Sequence, residues 1–337
     1  MATGLTRTLT SSAILSAIGL FTVTTAVIKT TSLFGTYIRP SKLKKYAHPS
    51  KKGEAPWALV TGASDGIGRA YARELAANGF NVVLHGRNEK KLRKVKSELR
   101  AAFPKRSFTI LVADATTVAC ANCFTDGEVD GDALDFSAMK EELDDLNLTV
   151  LVNNVGGNPT RPAFIPLKDR EEIHITENIS LNALFPVHLT RALLPNLIQN
   201  SPSLLVNVST VVEQGLPLNT TYTASKQFLS TLTHALRMEM ALEGIADKVE
   251  ILGIKTGRVT GVANYKEPPS FFAPDANTFA RSSLGLAGHG SRVVIGYWTH
   301  AIQYLLGTLM PSWLEDRVLI RIMRSNRDWE IRKLKQT

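Results

Sequence analysis

The chain has 337 residues, of which 44% are hydrophobic and 20% are charged. This composition excludes a disordered chain, and the length is enough for one large domain or two small ones. Lysine and arginine number 39 against 30 acidic residues, a net charge of +9 that alone could indicate a nucleic-acid or an anionic membrane partner. Two cysteines give no sign of a secreted disulfide framework, so we expect the catalytic part in a reducing compartment.

Residues 1–54 are predicted to form an N-terminal membrane anchor and a basic linker. No charge occurs over residues 8–28, and about 20 apolar residues cross a bilayer as a helix. Serine, threonine and glycine interrupt this stretch, which leaves a cleaved signal peptide or an in-plane helix open. Six cations and no acid follow at 39–52, and by the positive-inside rule they place the bulk of the protein in the cytosol.

From residue 55 to 290, short apolar runs alternate with amphipathic stretches. This pattern predicts a single α/β domain of the Rossmann type, with a doubly wound parallel sheet. Strands are predicted at 57–61, 81–85, 107–113, 150–153, 203–209 and 248–254, and helices at 66–78, 90–103, 136–146, 175–199 and 222–243. A polar insertion at 115–134 has two cysteines and several acids without the further ligands of a zinc or calcium site, so no metal is expected.

A glycine-rich turn follows the first predicted strand and opens the first predicted helix. From Thr61 it has the sequence Thr-Gly-Ala-Ser-Asp-Gly-Ile-Gly. Glycines in such a turn let a pyrophosphate approach the backbone at a helix N-terminus, where free N–H groups attract anions. The turn therefore predicts a dinucleotide site that includes Gly62, Ser64, Asp65, Gly66, Ile67 and Gly68.

The second predicted strand ends in His85-Gly86-Arg87, without the acidic residue that binds the adenosine ribose 2′-hydroxyl of NAD. Arg87 could instead pair with a 2′-phosphate, which favours NADPH over NADH. A solvated turn cation is the competing interpretation of Arg87.

Tyr222 and Lys226 are four residues apart, on one face of a predicted helix. An ammonium one turn from a phenol favours the phenolate, so we expect a lowered pKa for Tyr222 and a group that exchanges protons with an alcohol or carbonyl oxygen. Ser209 lies thirteen residues before Tyr222 at the end of a predicted strand, where parallel sheets form their ligand crevice. The register could slide by one residue and offer Thr210 instead.

The glycine turn, the segment Asn153-Asn154-Val155-Gly156, Ser209 and the Tyr222–Lys226 pair occur in the order found in the short-chain dehydrogenase/reductase family, which the chain resembles over residues 55–290. The resemblance implies that Tyr222 is the general acid. It implies that Lys226 modulates the pKa of Tyr222 and binds the nicotinamide ribose, and that Ser209 holds the substrate carbonyl.

Three further residues take roles from the same resemblance. Asn182 matches the helix asparagine that supports the proton relay of the family. Asn154 matches the turn beside the adenosine part of the cofactor, and Asp114 matches the acidic residue near the adenine. The resemblance therefore implies a complete NADPH site with Tyr222, Lys226, Ser209 and Asn182 as its catalytic residues.

A narrower resemblance is to the membrane-bound very-long-chain 3-oxoacyl-CoA reductases. It rests on the sequence at 60–68, on the NNVG segment, and on Gly-Tyr-Trp-Thr-His-Ala at 296–301 followed by Pro-Ser-Trp at 311–313. It implies NADPH-dependent reduction of a 3-oxoacyl-CoA to the 3-hydroxyacyl-CoA in microsomal fatty-acid elongation. The segment 255–261 lacks the proline usual in these relatives, which leaves a steroid or secondary-metabolite ketone open as the substrate. A non-catalytic cofactor-binding scaffold is the alternative from another class, but it would be expected to lack Tyr222 or Lys226.

Residues 291–337 are predicted to form an apolar C-terminal helix and a basic tail. Residues 293–314 carry no acid, lysine or arginine, and their polar residues gather on one face, as in a helix at the membrane interface or against the domain. His300 falls on that polar face and is not interpreted as catalytic. The sequence Lys-Leu-Lys-Gln-Thr at 333–337 resembles a retrieval signal of endoplasmic-reticulum membrane proteins, which is read in the cytosol.

Two segments account for the basic character of the chain. Residues 39–52 carry a net charge of +6 and residues 317–335 carry +5, which leaves −2 for the remainder. The catalytic domain is close to neutral, so nucleic-acid binding is not expected, and the basic segments are placed to meet anionic headgroups. The expected partners are a long-chain acyl-CoA, the endoplasmic-reticulum membrane and other fatty-acid elongation enzymes, and a homo-oligomer stays open.

Overall fold

The computed structural model describes residues 13, 16–25, 27–28, 31, 35–118, 134–262 and 265–335. The chain divides into two compact units, Met1–Pro40 and Ser41–Thr337. In the first unit, residues 16–25 are helical. The cysteines and acidic residues predicted to form a metal-free polar insertion fall largely at 119–133, outside the described residues.

The predicted N-terminal anchor is not supported by a spanning helix. Within the ranges given above, no helix combines the length and the apolar character that crossing a bilayer requires. Part of the predicted span, at 8–12, 14–15 and 26, lies outside the described residues. The membrane anchor therefore stays a prediction.

A parallel sheet of seven strands lies at the centre of the second unit. Its strands are β1 (Trp57–Val60), β2 (Asn81–Gly86), β3 (Phe108–Val112), β4 (Leu148–Asn153), β5 (Ser203–Thr210), β6 (Val249–Thr256) and β7 (Val293–Ile295). Their order across the sheet is β3-β2-β1-β4-β5-β6-β7. The chain changes direction between β1 and β4, so the predicted Rossmann-type doubly wound fold is confirmed, and a ligand crevice is expected at that point.

Helices cover both faces of the sheet. Those described are α1 (Gly66–Ala77), α2 (Glu89–Ala102), α3 (Phe136–Leu143), α4 (Glu172–Ile179), α5 (Phe185–Gln199), α6 (Thr220–Leu242), α7 (Ala276–Gly285), α8 (Trp298–Thr308) and α9 (Ser312–Leu334). The side chain of Asp65 caps α1 by accepting a hydrogen bond from the Gly66 amide, which satisfies one of the free N–H groups at the helix start.

Successive residues of each strand point to opposite faces of the sheet. Val206 and Val208 of β5 belong to the core that includes α1 and α7. Leu205 belongs to the core on the other face, which includes α5 and α6. At the end of β5, the Ser209 side chain therefore lies on the α6 face and the Thr210 side chain on the opposite face.

One predicted helix, 175–199, contains a widened turn. The helices α4 and α5 are joined by a π-helical turn at Ser180–Leu184, in which the Phe185 amide donates to the Ser180 carbonyl five residues earlier. Pro186 follows directly and has no N–H to continue the α-helical pattern. The turn carries Asn182, and such turns commonly occur at functional sites.

The prediction of one C-terminal helix over 293–314 was wrong at both ends. Residues 293–295 form β7, where Val293 pairs with Gly253 of β6. The helical stretch ends at Thr308, and Pro311 precedes the start of α9. Val293 and Val294 are β-branched and favour a strand when the edge of a sheet is available for pairing. That edge is β6, which the periodicity of residues 293–314 does not reveal.

The helix α9 is joined to the loop after β4 by a buried carboxylate. Glu330 accepts hydrogen bonds from the backbone amides of Ala163 and Phe164 at 2.8 to 3.0 Å. Arg161 forms an ion pair with the same carboxylate at 3.4 Å, and Arg170 donates to the Ala163 carbonyl at 2.9 Å. Two backbone amides of this loop thus find their hydrogen-bond acceptor in a helix that is far away in the sequence.

Candidate active site

A cleft of about 340 Å³ opens at the carboxyl ends of the central strands. The glycine turn borders one side of it, and the segment after β4 borders another. The remaining wall comes from β5, α6, β6 and the loop after β6, through Val208, Ser209, Tyr222, Lys226, Thr256, Val262 and Tyr265. The structure therefore brings the predicted cofactor and catalytic segments together at the switch point of the sheet.

Gly68 is packed too tightly to carry a side chain. A Cβ there would lie 2.6 Å from Asn154 Nδ2 and would overlap the Gly62 carbonyl oxygen. Gly62 and Gly66 have φ values of +68° and +54°, a region that glycine adopts without steric cost. The turn consequently exposes backbone amides rather than side chains, as a bound pyrophosphate requires.

The predicted NNVG segment holds the glycine turn in place. Asn154 donates from Nδ2 to the Thr61 carbonyl at 2.9 Å, and the Asn154 and Val155 amides donate to the Thr61 hydroxyl at 2.9 and 3.0 Å. The side chain of Asn154 therefore positions the backbone of the cofactor turn.

The adenosine end of the predicted site holds Arg87 and Asp114. Their side chains form a long ion pair at 3.6 Å, in which Arg87 is 62% exposed. Asp114 also accepts from the amide and the hydroxyl of Thr116 at 3.0 and 2.9 Å. The guanidinium is thus oriented by Asp114 and remains open to a ligand phosphate.

Tyr222 has a raised pKa, contrary to the prediction from its spacing to Lys226. The pKa of Tyr222 is raised to about 12, chiefly by burial and also by nearby Tyr265, while a side-chain hydrogen bond with Thr210 acts in the lowering direction. The prediction was wrong because it counted the neighbouring ammonium and not the enclosure of the phenol. At neutral pH Tyr222 therefore carries its proton, as a general acid must.

Lys226 is directed toward the end of β5. Its Nζ donates to the Val208 carbonyl at 3.0 Å, and burial lowers the pKa of Lys226 to about 8. A Cβ on Gly156 would lie 2.7 Å from Lys226 Nζ and 2.8 Å from Asn182 Oδ1. Lys226 and Asn182 therefore both border Gly156, so the structure brings the predicted lysine and asparagine together.

Asn182 is fixed by the backbone beside the cleft. Its Nδ2 donates to the Gly157 carbonyl at 2.8 Å, and its Oδ1 accepts from the Gly157 amide at 2.9 Å. It also donates to the Asn178 carbonyl at 2.9 Å. These bonds anchor the π-helical turn to the segment after β4.

The two hydroxyls at the end of β5 have different partners. Ser209 Oγ lies 2.9 Å from Glu213 Oε2 and 3.0 Å from the Lys226 carbonyl oxygen, both of which accept from it. Thr210, on the other face, is the residue that hydrogen-bonds with Tyr222. Ser209 lines the same cleft as Tyr222, and its hydroxyl is held by Glu213 and the Lys226 carbonyl.

Sequence reasoning missed Glu213, Lys255 and Tyr265. Glu213 and Lys255 form a buried ion pair at 2.7 Å. Tyr265 lines the cleft, and the Arg258 guanidinium lies 4.6 Å from its ring centre. The one available signal was that Glu213 is the only charged residue between β5 and α6.

His300 has a structural role at the loop after β6. Its Nδ1 accepts from the Gly257 amide at 3.2 Å, and its Nε2 lies 3.0 Å from the Arg258 carbonyl oxygen. The side chain is buried, so this part of α8 packs against the domain, one of the two placements predicted for it, and His300 takes no part in the cleft chemistry described above. Burial also lowers the pKa of His300.

The residues present fit a dinucleotide. The glycine turn provides a cradle that side chains would fill. Thr256, which lines the same cleft, has a buried hydroxyl without a hydrogen-bond partner within the described part of the chain. Glycine backbone amides suit a pyrophosphate, and an unpaired buried hydroxyl suits a polar ligand group.

Comparisons with known proteins agree with this geometry. The model of the short chain dehydrogenase family matches residues 56–267. The very-long-chain 3-oxoacyl-CoA reductase let-767 of Caenorhabditis briggsae is 31% identical over 303 residues, which is 90% of this chain and 90% of that protein. The human inactive hydroxysteroid dehydrogenase-like protein 1 is 31% identical over 261 residues, 77% of this chain and 73% of that protein.

Solved structures show the same fold. A short chain dehydrogenase from Shigella flexneri, complexed with NADP, is similar with a TM-score of 0.57 and 25% identity, over 72% of this chain and 95% of that one. The family model spans more than half of the chain and contains the glycine turn, Tyr222 and Lys226. The chain therefore belongs to the short-chain dehydrogenase family of oxidoreductases.

Proposed function

We propose that the protein reduces a 3-oxoacyl-CoA to the 3-hydroxyacyl-CoA with NADPH, as a step of very-long-chain fatty-acid elongation. The observation that carries the proposal is the cleft of about 340 Å³ in which the glycine turn, Ser209, Tyr222 and Lys226 meet. The similarity to the reductase of Caenorhabditis briggsae supports the substrate class.

The chain contributes a proton donor and a positioned cleft to this reaction. Bound NADPH would supply the hydride to the C3 carbonyl carbon. Tyr222, which keeps its proton at neutral pH, gives that proton to the carbonyl oxygen as negative charge develops there. A hydroxyl at the end of β5 donates a hydrogen bond to the same oxygen and stabilises that charge.

Lys226 and Asn182 support the transfer of the proton. Both border Gly156 at the back of the cleft. A buried ammonium next to a phenol favours the phenolate that remains after the proton has left. Asn182 holds the segment after β4, and so fixes the wall against which the cofactor binds.

The substrate class is tested with purified full-length protein, NADPH, and 3-oxostearoyl-CoA or estrone as substrate. We expect NADPH oxidation with the acyl-CoA at a much higher kcat/KM than with the steroid. If NADPH is oxidised with estrone but not with the acyl-CoA, the substrate is a steroid ketone and the proposed acyl-CoA substrate is wrong. If NADPH binds and neither substrate is reduced, the proposed reduction is wrong.

A non-catalytic scaffold is the second candidate, because a similar human protein is described as inactive. This candidate predicts that cofactor binding persists while substitution of Tyr222 leaves function in cells unchanged. The enzyme proposal predicts the accumulation of 3-oxo intermediates in cells that carry the substituted chain. Acyl-CoA profiling of such cells separates the two.

Arg87 is expected to select NADPH over NADH. Replacement of Arg87 by glutamine removes a charged donor to the 2′-phosphate, which is worth about 10- to 100-fold in affinity. The Kd for NADPH, measured by nucleotide fluorescence, should rise by this factor, and the Kd for NADH should change little. Arg93, an exposed arginine paired with Glu89, provides the control as Arg93→Gln, and equal loss for both nucleotides would contradict the assignment.

We also propose that the protein works at the endoplasmic-reticulum membrane, with its catalytic domain in the cytosol, alongside other elongation enzymes. The basic segment at 39–52 supports this, as does α9, where exposed Trp313 lies 5.2 Å from the Arg317 guanidinium. Tryptophan and arginine are favoured where protein meets anionic headgroups. Fractionation of cells should recover the full chain with microsomes, and recovery in the supernatant would contradict the proposal.

A further inference from the structure

The His300 ring lies between two backbone groups of the turn that follows β6. Its Nδ1 accepts a hydrogen bond from the Gly257 amide at 3.2 Å, and its Nε2 lies 3.0 Å from the Arg258 carbonyl oxygen. An amide N–H only donates and a carbonyl only accepts, so Nδ1 is unprotonated and Nε2 carries the proton. The two backbone partners thus select one neutral tautomer of the ring.

The contact between His300 and Gly257 leaves no room for a side chain on the turn. A Cβ on Gly257 would lie 2.8 Å from both Cγ and Cδ2 of the imidazole. The ring also packs against Tyr297, with ring centres 5.6 Å apart, and against Phe279 of α7 at 6.0 Å. Because the His300 side chain is fully buried, the fold fixes the position of the ring, and the ring in turn fixes the backbone of the turn.

The loop that begins at this turn forms one wall of the cofactor cleft. Thr256, the residue before Gly257, lines the cleft, and so do Val262 and Tyr265 further along the loop. Val262 packs directly on the glycine turn, because a Cβ on Gly66 would lie 3.1 Å from Val262 Cγ1. The loop therefore lies against the turn that is predicted to bind the pyrophosphate.

Two contacts connect the backbone that His300 holds to this wall. The Arg258 guanidinium lies 4.6 Å from the ring centre of Tyr265, and the Gly261 amide donates to the Tyr265 carbonyl at 2.8 Å. Since the carbonyl of Arg258 is bonded to His300, loss of that bond releases the residue that packs on Tyr265.

We infer that His300 is a positioning residue of the cofactor site: it holds the turn after β6 in the conformation that keeps Val262 on the glycine turn and Tyr265 in the cleft wall. It acts through the backbone of Gly257 and Arg258 rather than by contact with the cofactor. The inference concerns cofactor binding, so it does not depend on which ketone the protein reduces.

The test measures NADPH binding to full-length variants by nucleotide fluorescence, with rates from stopped flow. His300→Phe keeps a buried aromatic ring but removes both hydrogen bonds, and we expect its Kd for NADPH to rise about tenfold, the usual effect of one lost hydrogen bond. The rise should lie mainly in the dissociation rate, because the loop packs against the turn that holds the bound cofactor. His300→Asn keeps an oxygen acceptor in the place of Nδ1, so its Kd should return to within about threefold of the wild type.

A second buried histidine provides the matched control. His85 is also fully buried and stacks on Phe185, but neither of its ring nitrogens has a hydrogen-bond partner within the described part of the chain. His85→Phe should therefore leave the Kd for NADPH within about twofold of the wild type. An equal loss in His85→Phe and His300→Phe would overturn the inference, because the effect would then belong to any buried histidine.

Gly257→Ala tests the same contact from the side of the loop. Its methyl group displaces the His300 ring, so the Kd for NADPH should rise as it does in His300→Phe. If His300→Phe does not fold, the comparison of Gly257→Ala with His300→Asn carries the same test. Wild-type affinity in Gly257→Ala and in a folded His300→Phe would overturn the inference, and so would a His300→Asn chain that binds NADPH as weakly as His300→Phe.

Discussion

Replacement of Tyr222 by phenylalanine is expected to lower kcat for ketone reduction by about 100- to 10,000-fold, the usual contribution of a positioned acid. The phenol is the buried proton donor of the cleft, and burial raises its pKa to about 12, so it holds its proton throughout the neutral range. Phenylalanine keeps the ring and its packing but has no proton to give. The rate is measured under single-turnover conditions with NADPH bound.

A second tyrosine of the same cleft provides the matched control. Tyr265 lines the cleft and its ring is packed by Arg258, so Tyr265→Phe also removes one phenol from the site. We expect Tyr265→Phe to keep most of the turnover, and the Kd for NADPH to be unchanged in both variants. Similar losses in the two variants would show that Tyr222 is not the specific proton donor.

Replacement of Glu213 by glutamine is expected to lower the free energy of unfolding by about 3–5 kcal/mol, because removing one partner of a buried pair leaves the other charge uncompensated. Lys255 is only 17% exposed, so water reaches its ammonium poorly. Urea unfolding followed by circular dichroism measures the change. Partial exposure of Lys255 places the expected value toward the lower end of that range.

The control is an exposed ion pair from the same region. Arg258 and Glu267 lie 3.0 Å apart with side chains 56% and 51% exposed, and such surface pairs contribute about 0–1 kcal/mol. Glu267→Gln should therefore leave the unfolding midpoint almost unchanged. The double variant Glu213→Gln with Lys255→Met should recover much of the lost stability, because no unpaired charge remains. Equal losses for Glu213→Gln and Glu267→Gln would contradict the assignment.

The sheet and the cofactor turn were predictable because their signals are local. The glycines at 62, 66 and 68 follow a strand and open a helix within one short segment. The apolar runs of β4 and β5 are buried on both faces, and continuous apolar runs are typical of parallel strands. Such features need no knowledge of which distant residues become neighbours.

The errors concern properties set by distant neighbours. Counting residues back from Tyr222 selects Ser209, which does line the cleft, but the spacing does not reveal that its hydroxyl donates to Glu213. Lys255 is 42 residues from Glu213 in the chain, so their pairing is invisible to any local pattern. The pKa of Tyr222 likewise depends on how completely the fold encloses the phenol, and β7 depends on the free edge of β6.

The buried Glu330 determines when the loop after β4 can be completed during synthesis. Ala163 and Glu330 are separated by 167 residues. Ala163 and Phe164 lie in the loop after β4, and the Glu330 carboxylate accepts hydrogen bonds from their backbone amides. A chain still being made on the ribosome can form the glycine turn and β1 to β6 before Glu330 exists. The backbone amides of Ala163 and Phe164 gain their acceptor only with α9, so a chain interrupted before that helix would carry the catalytic tyrosine and lysine on a domain in which this loop lacks its partner.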